Sequence, residues 1–404
     1  MKRVVITGMG IYSVIGTNLD TVKKSLENGK SGIVFEEERK KMGFRSGLTG
    51  KLKRPDLKKQ LSRRMRIGLA EQGEYAYVAT KDAILQAKLT ESDLNSNSTG
   101  ILFGNDSSAK AVIDGWETFK EKKDTSLMGS AGIFQQMNST VTMNLSVIFK
   151  VKGINFSVSG ACASSSHAIG VAAMMIKQGM QDIIICGGAQ EINPPVTASF
   201  DGLGAFSTKE EEPEKALRPF DKDRDGLVPS GGAAVIILES YENAVKRKAD
   251  IIGEVLGWGF SSNADHISNP SVAGLRQSME SAIKNANIKV SDIDYVNAHA
   301  TSTPAGDSKE AQAIYETLGS KVPVSSTKSM TGHEMWAGGT SEVIYSLLMA
   351  HNDFIAPNIN FKNPDEFSKN INIIAEPKKH KTDIFLSNSF GFGGTNSSLI
   401  IKKL

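Results

Sequence analysis

The sequence predicts an α/β protein in which helices cover the sheets, and three observations support this class. A chain of 404 residues with 40% hydrophobic content is large enough to bury a substantial core. In the stretch 154–177, an alternating strand pattern leads through a sharp turn into an apolar helix. After residue 250, helical and strand patterns alternate regularly, which predicts mostly parallel sheets. We therefore expect two halves, residues 1–250 and 251–404.

The first half begins with a strand at Val4–Thr7, which Gly8-Met9-Gly10 is expected to end as a turn. Thr17 and Asn18 are suited to cap the helix that follows. A long helix is predicted to open at the basic residues 63–66 and to continue through Ile84. Further strand patterns occur at 101–104, 154–158, 183–188 and 234–239. The second half contains a strand at 251–256, a helix near 271–286, a strand at 293–297, a helix near 307–317, a strand at 322–326 and a helix near 339–350.

Composition excludes several classes of protein. The 47 basic and 44 acidic residues give a net charge of only +3, which argues against a whole surface that binds nucleic acid or membrane. The apolar runs are too short to span a bilayer, and the N-terminal residues show no signal-peptide pattern. Two cysteines make a disulfide scaffold impossible and favour a reducing compartment. We expect a cytoplasmic protein.

Cys162 lies at the turn between the strand 154–158 and a helix that is nearly free of charge. Ser164–Ser166 are expected to satisfy the free N–H groups of the first helical turn. A position at the start of a helix lowers the pKa of a thiol and raises its thiolate fraction. A buried, inert side chain is nevertheless the commonest state of a free cysteine. The turn alone leaves the catalytic and the structural interpretation about even.

Two histidines follow later strands. His299 comes directly after the strand 293–297, and His333 ends the run that begins at Lys328. One thiol and two imidazoles at strand ends are typical of nucleophilic catalysis with bases or oxyanion donors nearby. These two stretches favour the catalytic interpretation of Cys162.

Four ordered motifs resemble those of the β-ketoacyl-[acyl-carrier-protein] synthases. They are G-A-C-A-S-S around Cys162, N-A-H-A-T-S-T-P around His299, K-S-M-T-G-H from Lys328 to His333, and the loop 387–396 near the C-terminus. The Gly-Gly-Thr-Asn ending of that loop is closer to the type I synthases than to type II. The resemblance spans the chain from its first strand to its last residue. It implies the thiolase fold, with two similar α/β halves in an αβαβα arrangement of layers.

The resemblance also implies a reaction, the decarboxylative Claisen condensation of fatty-acid elongation. An acyl chain would be held on Cys162 and extended by malonyl-[acyl-carrier-protein]. The backbone N–H groups of Cys162 and Phe392 would form an oxyanion hole, and neutral His299 and His333 would stabilise the enolate. Lys328 would orient or polarise the site.

Further expectations concern binding. The resemblance implies no cofactor for catalysis, because the carrier protein brings its own phosphopantetheine. Glu342 would be the partner of Lys328 or of a structural monovalent cation. The resemblance also implies that the acyl carrier protein docks on the basic residues 63–66, although an exposed, solvated face explains their charge nearly as well. A homodimer is implied as well. The residues expected at the phosphopantetheine arm are Thr301, Thr303, Phe390 and Gly393, and those expected to dock the carrier are Arg63, Arg64 and Arg66.

Two departures from the family pattern leave the substrate open. Trp336 stands where the family has a glycine, and the run 134–138 is more polar than an acyl pocket suggests. A specialised ketosynthase of a polyene or other secondary-lipid pathway would share the same motifs. A non-catalytic chain-length partner subunit would usually lack Cys162. A biosynthetic thiolase would need a second reactive cysteine, and only Cys186 remains.

Overall fold

The computed structural model describes residues 2–404. The α-helices are α1 (Leu19–Glu27), α2 (Glu37–Lys41), α3 (Arg63–Arg66), α4 (Glu71–Gln86), α5 (Glu91–Leu94), α6 (Ala109–Lys122), α7 (Gly132–Gln136), α8 (Thr140–Phe149), α9 (Ser164–Lys177), α10 (Pro194–Gly202), α11 (Tyr241–Lys246), α12 (Val272–Ala286), α13 (Pro304–Leu318), α14 (Lys328–Thr331) and α15 (Gly338–His351). The strands are β1 (Val4–Ser13), β2 (Ile33–Phe35), β3 (Leu48–Gly50), β4 (Thr99–Gly104), β5 (Asn155–Val158), β6 (Ile183–Gln190), β7 (Gly232–Ser240), β8 (Gly253–Ser262), β9 (Tyr295–Asn297), β10 (Pro323–Ser325), β11 (Phe354–Ile355), β12 (Asn372–Ile373), β13 (Lys378–Lys379), β14 (Ile384–Phe390) and β15 (Thr395–Lys403).

Eleven strands form one continuous sheet in the order β12-β10-β9-β14-β15-β8-β1-β7-β6-β4-β5. Strands β1 and β8 join its halves through two residue pairs, Val5 with Glu254 and Ile6 with Gly253. Outward from this junction, both halves place their main strands in the same order: first, fifth, fourth, second, third. The expectation of two similar halves is therefore confirmed. Their division between residues 250 and 251 stays a prediction.

The expectation of mostly parallel sheets is wrong. Of the ten pairings in the large sheet, five are parallel and five antiparallel. Four of the five antiparallel pairings come from the last strand of each half, β7 or β15, which lies antiparallel between its neighbours, and the fifth joins β1 to β8. Strand β15 follows β14 after a short loop, and such a connection forces the two strands to run in opposite directions.

Apolar side chains cover both faces of the sheet and so create three apolar interfaces. On β7, Ile236 and Leu238 face a central cluster, whereas Val235 and Ile237 face the cluster beneath α4. The central cluster contains α9 and α15 and takes side chains from the strands of both halves. Helices α4 and α8 pack on one outer face, and α12 and α13 on the other. This gives the predicted five layers, with Cys186 buried as plain core in the middle.

Strand β1 runs straight through Gly8-Met9-Gly10, so the predicted turn is wrong. Helix α4 crosses the strand at these glycines. A Cβ on Gly10 would lie 1.9 Å from the carbonyl oxygen of Ala79, and one on Gly8 would lie 2.4 Å from that of Ala83. Both glycines therefore allow a close approach of helix and strand.

The long helix predicted from residue 63 is two helices. Helix α3 contains only four residues, and residues 67–70 separate it from α4. Ser62 caps α3 through its side chain, which accepts a hydrogen bond from the N–H of Met65. Glu71 and Glu74 lie in the first turn of α4, where a negative charge is favourable. The arginines therefore do not lie in the first turn of the long helix α4.

The other predicted elements agree with the structure to within a few residues. The cap of α1 is confirmed, because the side chain of Asn18 accepts a hydrogen bond from the N–H of Thr21 at 2.9 Å. Within residues 2–404, no helix is long and apolar enough to cross a membrane.

Candidate active site

Cys162 lies on a single 3-10 turn, Ala161–Ala163, between β5 and α9. Ala161 has a φ of +46°, a left-handed conformation that a residue with a Cβ adopts only under constraint. Its N–H donates to Oδ2 of Asp106 at 2.8 Å, and its carbonyl oxygen accepts from Oγ of Ser164 at 2.6 Å. These two bonds hold the strained turn that presents the thiol.

The three serines after the turn do not cap α9, contrary to expectation. They bond to neighbouring elements instead. Oγ of Ser165 accepts a hydrogen bond from the N–H of Thr340 at 3.1 Å, and Oγ of Ser166 lies 2.7 Å from Oγ of Ser397. The hydroxyls thus fix α9 against α15 and β15, and α9 carries the nucleophile turn with it.

The thiol and both imidazoles meet in a cavity of about 420 Å³. Nε2 of His333 lies 3.0 Å from Sγ of Cys162. The rings of His299 and His333 are 5.4 Å apart between centroids and nearly perpendicular. Nδ1 of each ring is buried without a hydrogen-bond partner among the described residues. No contact at Nδ1 therefore fixes the tautomer of either ring, and Nε2 of His333 can donate to the sulfur or accept from it.

Burial raises the pKa of the Cys162 thiol to about 12. The charge of Lys328 and hydrogen bonds from the backbone N–H groups of Cys162 and Phe392 pull this pKa down, but they do not offset the loss of water. The expectation of a thiol activated by its helix is therefore wrong for the resting protein. The two N–H groups converge on the sulfur, and their expected role as an oxyanion hole, in which they would face the carbonyl oxygen of the acyl group, stays a prediction.

Lys328 is buried and donates from Nζ to Oε1 of Glu342, so the predicted partnership of these two residues is present. Burial and the nearby ammonium group hold the pKa of both His299 and His333 well below the ordinary value. Both imidazoles are therefore neutral. Oε2 of Glu342 is buried without a hydrogen-bond partner among residues 2–404, and Lys328 balances the charge of its carboxylate. The structural cation expected at Glu342 stays a prediction.

Two further buried acids shape the loop that carries His299. Glu310 accepts the N–H of His299 at 2.9 Å and that of Ala300 at 2.6 Å. Asp307 accepts the N–H of Thr301 at 3.0 Å and that of Thr303 at 3.2 Å. Helix α13 contributes both carboxyl groups, so the packing of this helix fixes the imidazole and the two threonines together.

The structure brings together most residues expected at the substrate arm. Thr301, Thr303, Phe390 and Phe392 line the same cavity, and the hydroxyls of the two threonines lie 3.1 Å apart. Gly393 is not among the lining residues, since its N–H donates to the carbonyl oxygen of Ile267 at 2.6 Å. Its predicted role in binding stays a prediction.

The other predicted residues lie outside the cavity. Arg63 and Arg64 are exposed and Arg66 is half-buried, as a docking surface requires. Trp336 packs in a small apolar cluster with Phe206, Leu227, Met335 and their neighbours and does not line the cavity. The indole therefore fills space behind the site.

Two family models match the chain, the N-terminal domain of beta-ketoacyl synthase over residues 1–244 and its C-terminal domain over residues 252–362. The chain belongs to the β-ketoacyl synthase family. 3-Oxoacyl-[acyl-carrier-protein] synthase 1 of Haemophilus influenzae is 41% identical over 407 residues, which cover 100% of this chain and 99% of the relative. Synthase 2 of Vibrio harveyi is 36% identical over 411 residues, again covering 100% and 99%. The higher identity to synthase 1 agrees with the predicted likeness to type I.

Solved structures of ketosynthases share the fold. A beta-ketoacyl synthase from Burkholderia phymatum has a TM-score of 0.94 at 33% identity, with 100% of each chain covered. A ketosynthase in complex with its type II PKS acyl-carrier protein has a TM-score of 0.89 at 28% identity, with the same coverage. These neighbours confirm the predicted thiolase fold.

Sequence reasoning missed the acids that support this ketosynthase site, Asp106, Asp307, Glu310 and Glu334. A signal existed for the first, because Asp106 follows the strand β4 at its carboxyl end, where functional side chains gather in such sheets. Helix α13 gave no comparable signal, since a buried carboxylate on a helix has the same local sequence as an exposed one.

Proposed function

We propose that the chain is an acyltransferase that condenses malonyl-[acyl-carrier-protein] with an acyl chain held on Cys162. The product is a β-ketoacyl-[acyl-carrier-protein], one round of fatty-acid elongation. The observation that carries the proposal is the contact of 3.0 Å between Sγ of Cys162 and Nε2 of His333, in a cavity that also contains His299.

Acyl transfer comes first. The sulfur of Cys162 attacks the thioester of the incoming acyl group, and its proton leaves through the imidazole of His333. The same proton then neutralises the departing carrier thiolate, so none is gained or lost. The N–H groups of Cys162 and Phe392 receive the negative charge of the tetrahedral intermediate. Lys328 lowers the energy of the thiolate because its ammonium charge is close and poorly screened.

Condensation follows once malonyl-[acyl-carrier-protein] enters. His299 and His333 donate ring N–H groups to the thioester carbonyl of the malonyl group. The bond to the carboxylate breaks, carbon dioxide leaves, and the electron pair forms an enolate whose charge the two donors hold. The enolate carbon attacks the acyl carbonyl, the bond to the sulfur of Cys162 breaks, and the thiolate that leaves takes up a proton from water to restore the resting thiol. His333 serves as proton carrier first and donor second, because no hydrogen-bond partner within residues 2–404 fixes the proton at its Nδ1.

The substrate's phosphopantetheine arm would enter past Thr301 and Thr303, whose hydroxyls are suited to its amide groups, and past Phe390 and Gly393. The chain needs no cofactor of its own for these steps. The acidic carrier would dock on Arg63, Arg64 and Arg66. A structural monovalent cation at Glu342 and a cytoplasmic location remain predictions.

We also propose that the chain is a homodimer joined at β5. This strand is the edge of the large sheet. The carbonyl groups of Ile154 and Val158 accept hydrogen bonds from β4 and the residue after it. Because successive residues of a strand direct their backbone groups to opposite sides, the N–H and carbonyl groups of Asn155 and Ser157 point away from the sheet. Large exposed apolar side chains gather on the nearby elements: Val112, Ile113, Trp116, Leu127, Ile133, Phe134, Met137 and Val147. A second copy would extend the sheet and cover this surface.

A ketosynthase of another lipid pathway is the second candidate, because the chain also resembles the ishigamide ketosynthase/chain length factor at 28% identity and a TM-score of 0.92. The catalytic residues are the same under both functions, so only acyl preference separates the two. A non-catalytic partner subunit is disfavoured by the intact contact of Cys162 with His333.

The deciding experiment is to incubate the protein with a panel of acyl-carrier proteins and to record intact and peptide masses. We expect one acyl group, confined to the peptide of Cys162, and a β-ketoacyl product once malonyl-carrier protein is added. Cys162→Ala should remove the label, whereas Cys186→Ala is the matched control and should keep it. If no acyl chain of any length attaches to Cys162, the proposed function is wrong. A preference for polyunsaturated chains over saturated ones would favour the second candidate.

A further inference from the structure

Another buried acid, Glu334, directly follows the catalytic His333 but takes no part in the steps above. Its side chain is 2% exposed and faces Ser13 of β1 and Tyr345 of α15, which are also buried. Oε1 and Oε2 lie 3.0 and 3.2 Å from the hydroxyl of Tyr345, and Oε1 lies 3.1 Å from Oγ of Ser13. The two hydroxyls lie 2.8 Å from each other. The three side chains therefore close a ring.

Counting hydrogens shows which ionisation state completes this ring. An ionised Glu334 leaves two hydrogens, one on each hydroxyl, for the three side-chain pairs of the ring, Glu334 with Tyr345, Tyr345 with Ser13, and Ser13 with Glu334. A protonated Glu334 supplies the third, so that each member donates once and accepts once. The neighbouring acid Glu310 is the opposite case, because its oxygens meet only N–H donors and need no proton.

We propose that Glu334 is a positioning residue that keeps its proton, and that its ring with Ser13 and Tyr345 holds His333 in register with Cys162. The inference extends the proposed function and rests on it only for the role of His333. It concerns a carboxyl group that touches no reacting atom.

The backbone around Glu334 explains why such a ring is needed. On one side of the loop, the N–H of His333 donates to the carbonyl oxygen of Val228 at 2.8 Å, and its carbonyl oxygen accepts from Ser230 at 2.9 Å. On the other side, Met335 is buried with a φ of +43°. A non-glycine residue stays in that conformation only where its surroundings fix it. The ring of Glu334 fixes the residue between the imidazole and this strained position.

The charges that face the ring favour the same state. The pKa of Glu334 is raised to about 8. Burial raises this pKa most, and the charge of Glu342 on α15 raises it too, whereas hydrogen bonds from Tyr345 and Ser13 and the charge of Lys328 on α14 lower it. An ionised Glu334 would compete with Glu342 for the one ammonium group. A neutral Glu334 leaves Lys328 paired with Glu342 alone, beside Cys162 and the two imidazoles.

The first test reads the proton directly. The infrared difference spectrum between wild type and Glu334→Gln at pH 7 should contain the carbonyl stretch of one protonated carboxylic acid, and this band should vanish as the pH rises past about 8. Glu366→Gln, at an exposed position, is the matched control, and its difference spectrum against wild type should not contain this band. If the band is also missing from the difference between wild type and Glu334→Gln, the protonated ring is wrong. This readout needs no activity, so it stands even if Cys162 proves inert.

The second test reads the positioning role through acylation of Cys162. In Glu334→Gln, the side chain is a neutral donor at every pH, so Cys162 should be acylated at near the wild-type rate at pH 7. In the wild type, we expect the rate to fall above pH 8 as Glu334 ionises, and in Glu334→Gln this fall should be absent. Glu334→Leu breaks the ring and should lower kcat about tenfold or more with little change in KM, as a misplaced catalytic group does. Circular dichroism confirms that both variants fold. A Glu334→Leu variant with the kcat and pH profile of wild type would refute the positioning role.

Discussion

The Cys162 thiol shows how opposing forces at one residue set the order of a reaction. Burial stabilises the neutral thiol, whereas Lys328 and two backbone N–H groups stabilise the thiolate. Because burial is the larger effect, the resting sulfur keeps its proton and is protected from stray electrophiles. The thiolate forms only when His333 is in place to take that proton. The sequence motif alone suggests an activated thiolate, because it shows that Cys162 stands at the start of a helix. It does not show that the folded protein excludes water from the sulfur.

We expect Lys328 to control the reactivity of this thiol. Replacing both members of the buried pair, Lys328→Met with Glu342→Met, removes the charge without leaving an unpaired carboxylate. The pKa of Cys162 should rise. A rise of one unit lowers the thiolate fraction tenfold and regains about threefold in nucleophilicity, so alkylation by iodoacetamide at pH 8 should slow about threefold. An unchanged rate in the double variant would contradict this electrostatic role.

The single variant Lys328→Met serves as the comparison. It leaves Glu342 buried and uncompensated and should lower the free energy of unfolding by about 3–5 kcal/mol, most of which the double variant should recover. Urea denaturation monitored by circular dichroism measures both.

At the scale of elements, β1 and α4 illustrate how a correct residue observation leads to a wrong structure. Gly8 and Gly10 are unusual in a strand, and a turn is their commonest explanation. Their actual reason lies about seventy residues further along the chain, where backbone carbonyls of α4 press against them. Only the packing of distant elements distinguishes the two explanations.

Gly10→Ala tests that packing. A methyl group there has no space beside the carbonyl oxygen of Ala79, so helix and strand must separate, at a cost of about 1–3 kcal/mol in the free energy of unfolding. Gly202→Ala is the control, because a Cβ on Gly202 would meet no atom within 4 Å, and it should change stability by less than about 0.5 kcal/mol. Equal effects in urea denaturation would refute the close-packing explanation.

Helix α3 is the element expected to meet the carrier protein. Reversing two exposed charges, Arg63→Glu with Arg64→Glu, should raise KM for an acyl-carrier protein on the order of tenfold, because an acidic partner would be repelled. The KM for a small acyl thioester that lacks the carrier should not change. Lys284→Glu with Lys289→Glu, two exposed reversals at the C-terminal end of α12 and just after it, is the control with the same change in net charge. Loss of activity with both substrates would indicate that the arginines stabilise the fold and do not dock the carrier protein.

The whole molecule was only partly accessible from its sequence. Local patterns predicted α12, β9, α13, β10 and α15 within a few residues, and four motifs indicated Cys162, His299 and His333. The repeated strand order of the halves left no visible repeat in the chain, because the two halves share topology rather than residues. The direction of β7 could not be foreseen, since local patterns do not show strand direction. That of β15 is missed when residues 387–396 are interpreted as a loop and not as the ends of two strands with a short turn between them. Asp106 and Glu310 support the site through contacts across the fold that no local pattern records.

Strand β5 is the edge of the large sheet, and its outward-facing N–H and carbonyl groups are where we expect a second copy of the chain to pair. Light scattering should give twice the mass of one chain at micromolar concentration. Phe156→Asp places a charge on this edge, where the ring is 37% exposed, and should shift the protein to a monomer. Phe35→Asp is the matched control, with a ring 40% exposed on β2, and should remain a dimer. A wild-type protein with the mass of one chain would show that β5 is a free edge, and the apolar side chains beside it would then need another partner.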